Sequence, residues 1–261
     1  GTIELLRLAA MHRTVPLHHV STTGVYAGPA TPGVALRVGD PAGPGDELPS
    51  GYTQSKWVAE EIIGLARERG LPVSVYRVDL ISGDRVTGAC QKRDYVWLAL
   101  KGLIQAGCYP QNLSAPLHMV PVDFAANAIL RLSGMPSTAG RVFHIDSPSS
   151  VDFAEMIDSL SAFGYALQEL PYDLWRAAVT GQRNNAILPL LDAFDMMLAD
   201  SGTFYPAIDT SDTDDALGGH CPPVTEDLVN TYVRFFIESQ WLPEPSPTSN
   251  SVRHTSSAPL S

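Results

Sequence analysis

The chain has 261 residues, 44% hydrophobic and 17% charged, enough to bury a sizeable core in one or two domains. Its formal net charge of −11 argues against nucleic acid or an anionic membrane as the main partner, because both attract basic surfaces. No apolar run approaches the ~18 residues of a membrane span, and no signal-peptide pattern is read at the start. The scattered Cys90, Cys108 and Cys221, with no Cys-x-x-Cys, fit a reduced cytoplasmic protein without structural zinc.

Residues 1–10 read as a helix, with Ile3, Leu5, Leu6, Leu8 and Ala9 available for burial. Val15 to Tyr26 reads as a strand ending in the hydroxyls Ser21, Thr22 and Thr23. Residues 27–50 carry five prolines and five glycines without periodicity and are expected to form a loop. A loop there would lie beside a ligand or act as a mere connector, and Ser50 could cap the helix that follows. In that helix, which runs to Arg69, apolar residues at 58, 59, 62, 63, 65 and 66 give one buried face. Gly70 and Pro72 stop it. Val73 to Ile81 is a β-branched run of the kind buried in parallel sheets, completing a strand–helix–strand unit.

Residues 92–106 read as a helix leaving the sheet and 117–134 as the return, with Asp123 capping a helix from Phe124 to Ser133. Arg141 to Ile145 is the next strand. His118 and His144 flank apolar residues and are expected to be packed or hydrogen-bonded core histidines. From 148 the pattern turns helical: 151–163, 173–180, 184–199 and 226–239. The acidic run 209–215 reads as a solvated loop, and 243–261 as a disordered tail.

Tyr52 and Lys56 stand one helical turn apart and project together from the helix start. A nearby ammonium favours the phenolate, which makes the phenol a usable acid. By itself the Tyr-x-x-x-Lys spacing also suits two surface residues of an amphipathic helix. Together with the strand ending in Ser21-Thr22-Thr23, it resembles the extended short-chain dehydrogenase/reductase family. The stretches Asp152–Glu155, Gly164-Tyr165, Leu170–Trp175 and Cys221-Pro222-Pro223-Val224 are similar to the terminal thioester reductase domains of nonribosomal peptide and polyketide synthases. Carboxylic acid and aminoadipate reductases carry similar domains. This resemblance covers about residues 1–242.

The resemblance implies an α/β fold: a Rossmann-like parallel sheet over residues 1–147, with a substrate-side excursion at about 84–117, and a mostly helical substrate- and carrier-binding subdomain over 148–242. It implies a catalytic set of Thr22, Tyr52 and Lys56, with Ser21 and Thr23 on the substrate side. Tyr52, Lys56, Val78, Asp79 and Leu80 would face a nicotinamide cofactor, NADPH. Relatives commonly carry Arg-Pro-Gly where this chain has Arg77-Val78-Asp79, so the Asp79 side chain is unexpected. The partner would be an acyl or peptidyl carrier protein presenting a phosphopantetheine thioester, released as an aldehyde or alcohol.

No G-x-G-x-x-G turn, the usual cradle for a pyrophosphate, occurs in the 261 residues. The chain is therefore expected to be the later part of a larger domain, with the first strands elsewhere on this or another chain. Two other readings stay open. One is a reductase or epimerase of the same superfamily acting on a nucleotide sugar or small carbonyl. The other is a truncated, non-catalytic carrier-docking module.

Overall fold

The computed structural model describes residues 1–26, 34–199 and 206–245. Its central sheet has three parallel strands in the order β1 (Leu17–Thr22), β3 (Val73–Val78) and β7 (Val142–Ile145). All six residues of β3 are buried, as expected of a strand covered on both faces. Helix α1 (Thr2–Ala10) precedes β1, and α2 (Gly51–Glu68) crosses from β1 to β3. Ile63 of α2 packs on Val73 and Val75 of the strand it leads to.

One interaction fixes where α2 sits. Arg77 points from β3 to Glu60 of α2, with Nη2 2.7 Å from Oε2, and both side chains are over nine-tenths buried. The Arg77 Nε donates to the same carboxylate at 3.1 Å. Such a pair holds only in one geometry, because either charge alone would be stranded without water. Helix α2 starts on a reciprocal cap, as Ser50 Oγ accepts from Thr53 N and Thr53 Oγ1 accepts from Ser50 N.

The strand expected over 73–81 is broken. Asp79 turns its carboxylate onto the next amide, Leu80 N, at 2.7 Å. The chain then leaves the central sheet as β4 (Leu80–Ile81). This strand pairs in parallel with β6 (Pro116–Val120), which pairs antiparallel with β8 (Ser150–Asp152). The loop between β1 and α2 contributes β2 (Ala35–Leu36), which pairs with β10 (Ala207–Ile208).

The largest core joins residues 96–119 to residues 151–242. It is built from α3 (Tyr95–Ala106), α5 (Phe153–Ala162), α6 (Tyr172–Thr180), α7 (Leu191–Ala199) and α9 (Glu226–Glu238), with β5 (Cys108–Pro110) paired to β9 (Gln168–Leu170). Trp97, Trp175, Phe153, Phe194, Tyr232 and Phe236 are its bulkiest members. Helix α9 is clamped to the 82–90 turn. Tyr232 Oη lies 3.1 Å from both Ser82 Oγ and the Gly83 carbonyl oxygen, and a Cβ on Gly83 would meet the Tyr232 ring at 2.7 Å. A second core lies under β3 and β7 and includes α4 (Val122–Ser133), Leu217 and Cys221.

Several expectations are corrected. In α1 only Ala9 is buried, while Ile3, Leu5 and Leu8 are exposed. Asp123 does not cap its helix, which begins at Val122 after Pro121. Asp123 instead pairs with Arg85 at 2.7 Å. The helix expected from 184 begins at Leu191, because buried Asn185 spends its amide on the Gly102 carbonyl and the Ile187 N–H. The acidic run is no loop: Ser211–Leu217 forms α8, with Thr213 buried against β7 and Asp212 paired with Arg141. Residues 27–33 of the expected loop and 246–261 of the expected tail lie outside the described residues. Among the described residues no helix is long and apolar enough to cross a membrane.

Candidate active site

A cleft of about 750 Å³ opens at the carboxyl ends of β1 and β3, the end where open parallel sheets hold ligands. The end of β1 and the turn after it line it with Ser21, Thr22 and Thr23, the α2 start with Tyr52 and Lys56, and the end of β3 and the residues after it with Val78, Asp79 and Leu80. The opposite wall is made by Asp94, Val96, Leu117 and His118, and the rim by Glu47, Pro49, Pro206 and Ile208.

Thr22 ends β1 in extended backbone, and its hydroxyl accepts from Gly24 N at 3.1 Å. That cap fixes the side chain on the cleft wall it shares with the Tyr52 phenol. Thr23 is buried, and its hydroxyl slightly offsets the upward shift of the Asp79 carboxyl. Ser21 is buried, and its hydroxyl has no hydrogen-bond partner among the described residues.

The expected lowering of the Tyr52 pKa by Lys56 is not found. Lys56 Nζ donates to the Val20 carbonyl at 3.0 Å and stands 5.9 Å from the Tyr52 ring centroid. Tyr52 is 60% exposed, but partial burial at the cleft raises the phenol above its ordinary value, the nearby Thr22 hydroxyl lowers it, and the charge of Asp94 raises it further. Tyr52 is thus protonated at neutral pH, the form that can donate a proton.

Asp79 lies beside Asp146, which follows β7. The two carboxyls are raised to about 7 and about 6 by burial, and Asp79 also by its partner's charge. His118 Nδ1 is 3.9 Å from Asp146 Oδ2. So His118 stands on the cleft wall and is not a core histidine as expected, whereas His144 is fully buried. The main-chain amides after β3 are already engaged: Asp79 N donates to Ile145 O at 3.1 Å and Leu80 N to Asp79. Any main-chain contact from this turn to a ligand must use its carbonyls.

The sequence placed the 27–50 loop, which carries Glu47, beside a ligand without naming the residue, and it missed Asp94, His118 and Ile208 as individual cleft residues. Asp94 carried a readable signal, since it stands just before the apolar run of α3 and caps it through Val96 N at 3.2 Å. Ile208 carried none, because its place depends on pairing with residue 36 across a long separation.

The chain is 36% identical to the terminal R domain from the myxalamid PKS-NRPS biosynthetic pathway, with a TM-score of 0.81, covering 94% of this chain and 64% of that one. A family model for NAD-binding proteins, described as male sterility protein, matches residues 1–129. The chain belongs to the extended short-chain dehydrogenase/reductases, among their terminal thioester reductase domains. Within that family it is 40% identical over 201 residues to a linear gramicidin synthase of Brevibacillus parabrevis, covering 74% of this chain and 4% of the relative. It is 34% identical over 262 residues to isonitrile lipopeptide synthase of Streptomyces coeruleorubidus, covering 94% and 17%. The chain thus spans less than two thirds of each of these relatives.

Proposed function

We propose that this chain carries the reaction cleft of an NADPH-dependent reductase that releases a carrier-bound acyl or peptidyl thioester as an aldehyde or alcohol. The observation that carries the reading is the Thr22–Tyr52 hydroxyl pair on the cleft wall, with Lys56 one turn along α2. The donor set fits a nicotinamide riboside. Lys56 Nζ keeps two of its three N–H donors beyond the Val20 contact, enough to meet ribose hydroxyls at the cleft. Asp79 to Leu80 would face the nicotinamide ring through carbonyl oxygens.

A bound reduced nicotinamide supplies the hydride. Thr22 and Tyr52 aim two hydroxyl donors at the point where the thioester oxygen becomes negative, an arrangement in which each donor is worth about 3–4 kcal/mol. Tyr52 then gives its proton to that oxygen. Collapse of the adduct re-forms the carbonyl, breaks the C–S bond and releases the aldehyde, while the thiolate takes up a proton. The apolar wall of Val96, Leu117 and Ile208 excludes water from this step.

A carrier would dock where basic residues meet the cleft's outer wall. Among the basic residues that follow β4, Arg85 is paired with Asp123, Lys101 donates to the Trp241 carbonyl, and Lys92 stands over the Phe235 ring. Arg93 is exposed. Charge reversal at Arg85 and Arg93 is expected to slow the carrier-bound substrate and spare the same acyl group on a small thiol.

The test of the reading is Tyr52→Phe in the full-length protein, followed by nicotinamide oxidation with a thioester substrate. The expected loss in turnover is about 10²–10³-fold with little change in cofactor affinity. Unchanged turnover would remove Tyr52 from the acid role, and no thioester-dependent oxidation in the wild type would overturn the reductase reading.

A further inference from the structure

A partly buried hydrogen-bonded cluster at the edge of the cleft ties together the two segments that form its rim. At its centre is Tyr26, just after the turn that carries Thr22. Its hydroxyl receives Arg77 Nη1 at 2.5 Å, lies 2.8 Å from His144 Nε2 and lies 2.9 Å from the Arg37 carbonyl oxygen. His144 Nδ1 is 3.0 Å from the Asp209 carbonyl oxygen. Arg37 and Asp209 each follow a residue of the β2–β10 pair, and Asp209 N donates to Leu36 O at 2.8 Å. Ile208, which lines the cleft, is therefore held through His144, and the 34–48 segment through Tyr26.

The protons available do not match these contacts in the neutral state. The Tyr26 hydroxyl has one proton and two claimants, the Arg37 carbonyl and, when unprotonated, His144 Nε2. If Tyr26 serves Arg37, Nε2 must carry a proton. A neutral ring would then turn a bare Nδ1 lone pair onto the Asp209 carbonyl. If His144 carries its proton on Nδ1, Asp209 is satisfied and Tyr26 must turn to Nε2. The Arg37 carbonyl then keeps only its bond from Asp40 N, at 3.0 Å. Each arrangement leaves one pair of facing lone pairs, Nδ1 on the Asp209 carbonyl in the first and the Tyr26 oxygen on the Arg37 carbonyl in the second. The second is the cheaper one, because the exposed Arg37 carbonyl can turn to water, whereas the His144 ring is fully buried. Only the doubly protonated ring satisfies all the contacts at once.

We propose that Tyr26 and His144 are positioning residues for the cleft, and that the proton on His144 decides whether Tyr26 holds the Arg37 carbonyl and with it the 34–48 wall. The groups that face His144 are the Tyr26 hydroxyl, Arg77 from β3, Glu60 from α2, and the main chain and carboxylate of Asp209. Thr213 of α8 donates to the His144 carbonyl at 2.6 Å. Burial and Arg77 disfavour the imidazolium, whereas Asp209 and Glu60 favour it, and burial prevails. Burial keeps Tyr26 itself protonated, its pKa being raised to about 12. At neutral pH the 34–48 wall lacks this one hold and keeps only its others, among them Gly43 N to the Val25 carbonyl and Trp57 Nε1 to the Ala42 carbonyl; on acidification it gains the hold.

The latch is independent of the reaction, but its effect on turnover rests on the reductase reading. Nitrogen NMR of the full-length protein with ¹⁵N-labelled histidine should find the His144 proton on Nδ1 at about pH 7.5. Amide exchange over residues 35–43, corrected for its intrinsic pH dependence, should slow as His144 becomes doubly protonated. The slowing should be roughly two- to tenfold, the change expected for one hydrogen bond gained. Tyr26→Phe and the polar His144→Gln should each abolish that pH dependence. In the thioester assay Tyr26→Phe should raise KM and leave kcat within about twofold, the split expected of a residue that positions a wall without touching the reacting atoms. A proton on Nε2 at neutral pH, exchange over 35–43 unaffected by His144 titration, or retained pH dependence in Tyr26→Phe would each overturn the proposal. The NMR and exchange measurements need no turnover, so failure of the reductase reading would leave them standing.

Discussion

Glu60→Ala tests what holds α2, which carries Tyr52 and Lys56, in place. The substitution leaves the Arg77 guanidinium under β3 with its side chain 7% exposed and its carboxylate partner gone. Tyr26 still accepts one N–H, so the penalty should lie near the lower end of that for a broken buried pair, about 3 kcal/mol. With a urea dependence of about 3 kcal/mol per molar, the unfolding midpoint should fall by about 1 M at unchanged slope. A second variant separates loss of attraction from a stranded charge: Glu60→Leu with Arg77→Met should recover most of the loss, because two apolar side chains strand nothing. Equilibrium urea unfolding at neutral pH, followed by tryptophan fluorescence, measures both. A midpoint shift below about 0.3 M for Glu60→Ala would refute the argument. The pair would then not fix α2, and another contact would have to place Tyr52 and Lys56.

Gly43→Ala should destabilise the protein by more than about 1 kcal/mol, because the residue has φ +78° and an added Cβ would stand 2.4 Å from Trp57 Nε1. Trp57 Nε1 also donates to the Ala42 carbonyl at 3.2 Å, so limited proteolysis should cut the 34–48 segment faster in the variant, and unchanged cleavage would refute this anchoring by Trp57. Asp79→Asn should raise stability at alkaline pH relative to acid. The folded Asp79 pKa, about 7, lies above its ordinary value of 3.8. Its contribution is therefore fully present below pH 3.8 and is lost as pH rises through about 7. Thermal melts of the variant and wild type should converge near pH 4 and diverge in the variant's favour near pH 8, and a constant difference would contradict the buried carboxyl pair.

The sequence alone determined the elements whose signals are local. Ser50, the apolar face from Val58 to Ala66 and the stop at Gly70-Leu71-Pro72 define α2 and so place Tyr52 and Lys56 on one side of it. The valines of 73–78 define a buried strand by composition. The hydroxyls at 21–23 could be placed at a strand end, and their spacing from Tyr52 carried the family resemblance. Tertiary structure alone decided the electrostatics and the rim. Lys56 is drawn to a strand carbonyl, so Tyr52 answers to burial, Thr22 and Asp94, none of which is its neighbour in sequence. Asp79 breaks its own strand and meets Asp146 only because β3 and β7 are paired in register. The acidic run became a helix because Thr213 is buried against β7, a long-range contact that outweighs local polarity. Such outcomes depend on which distant residues supply a partner or exclude water, and neither is written in the spacing of one segment.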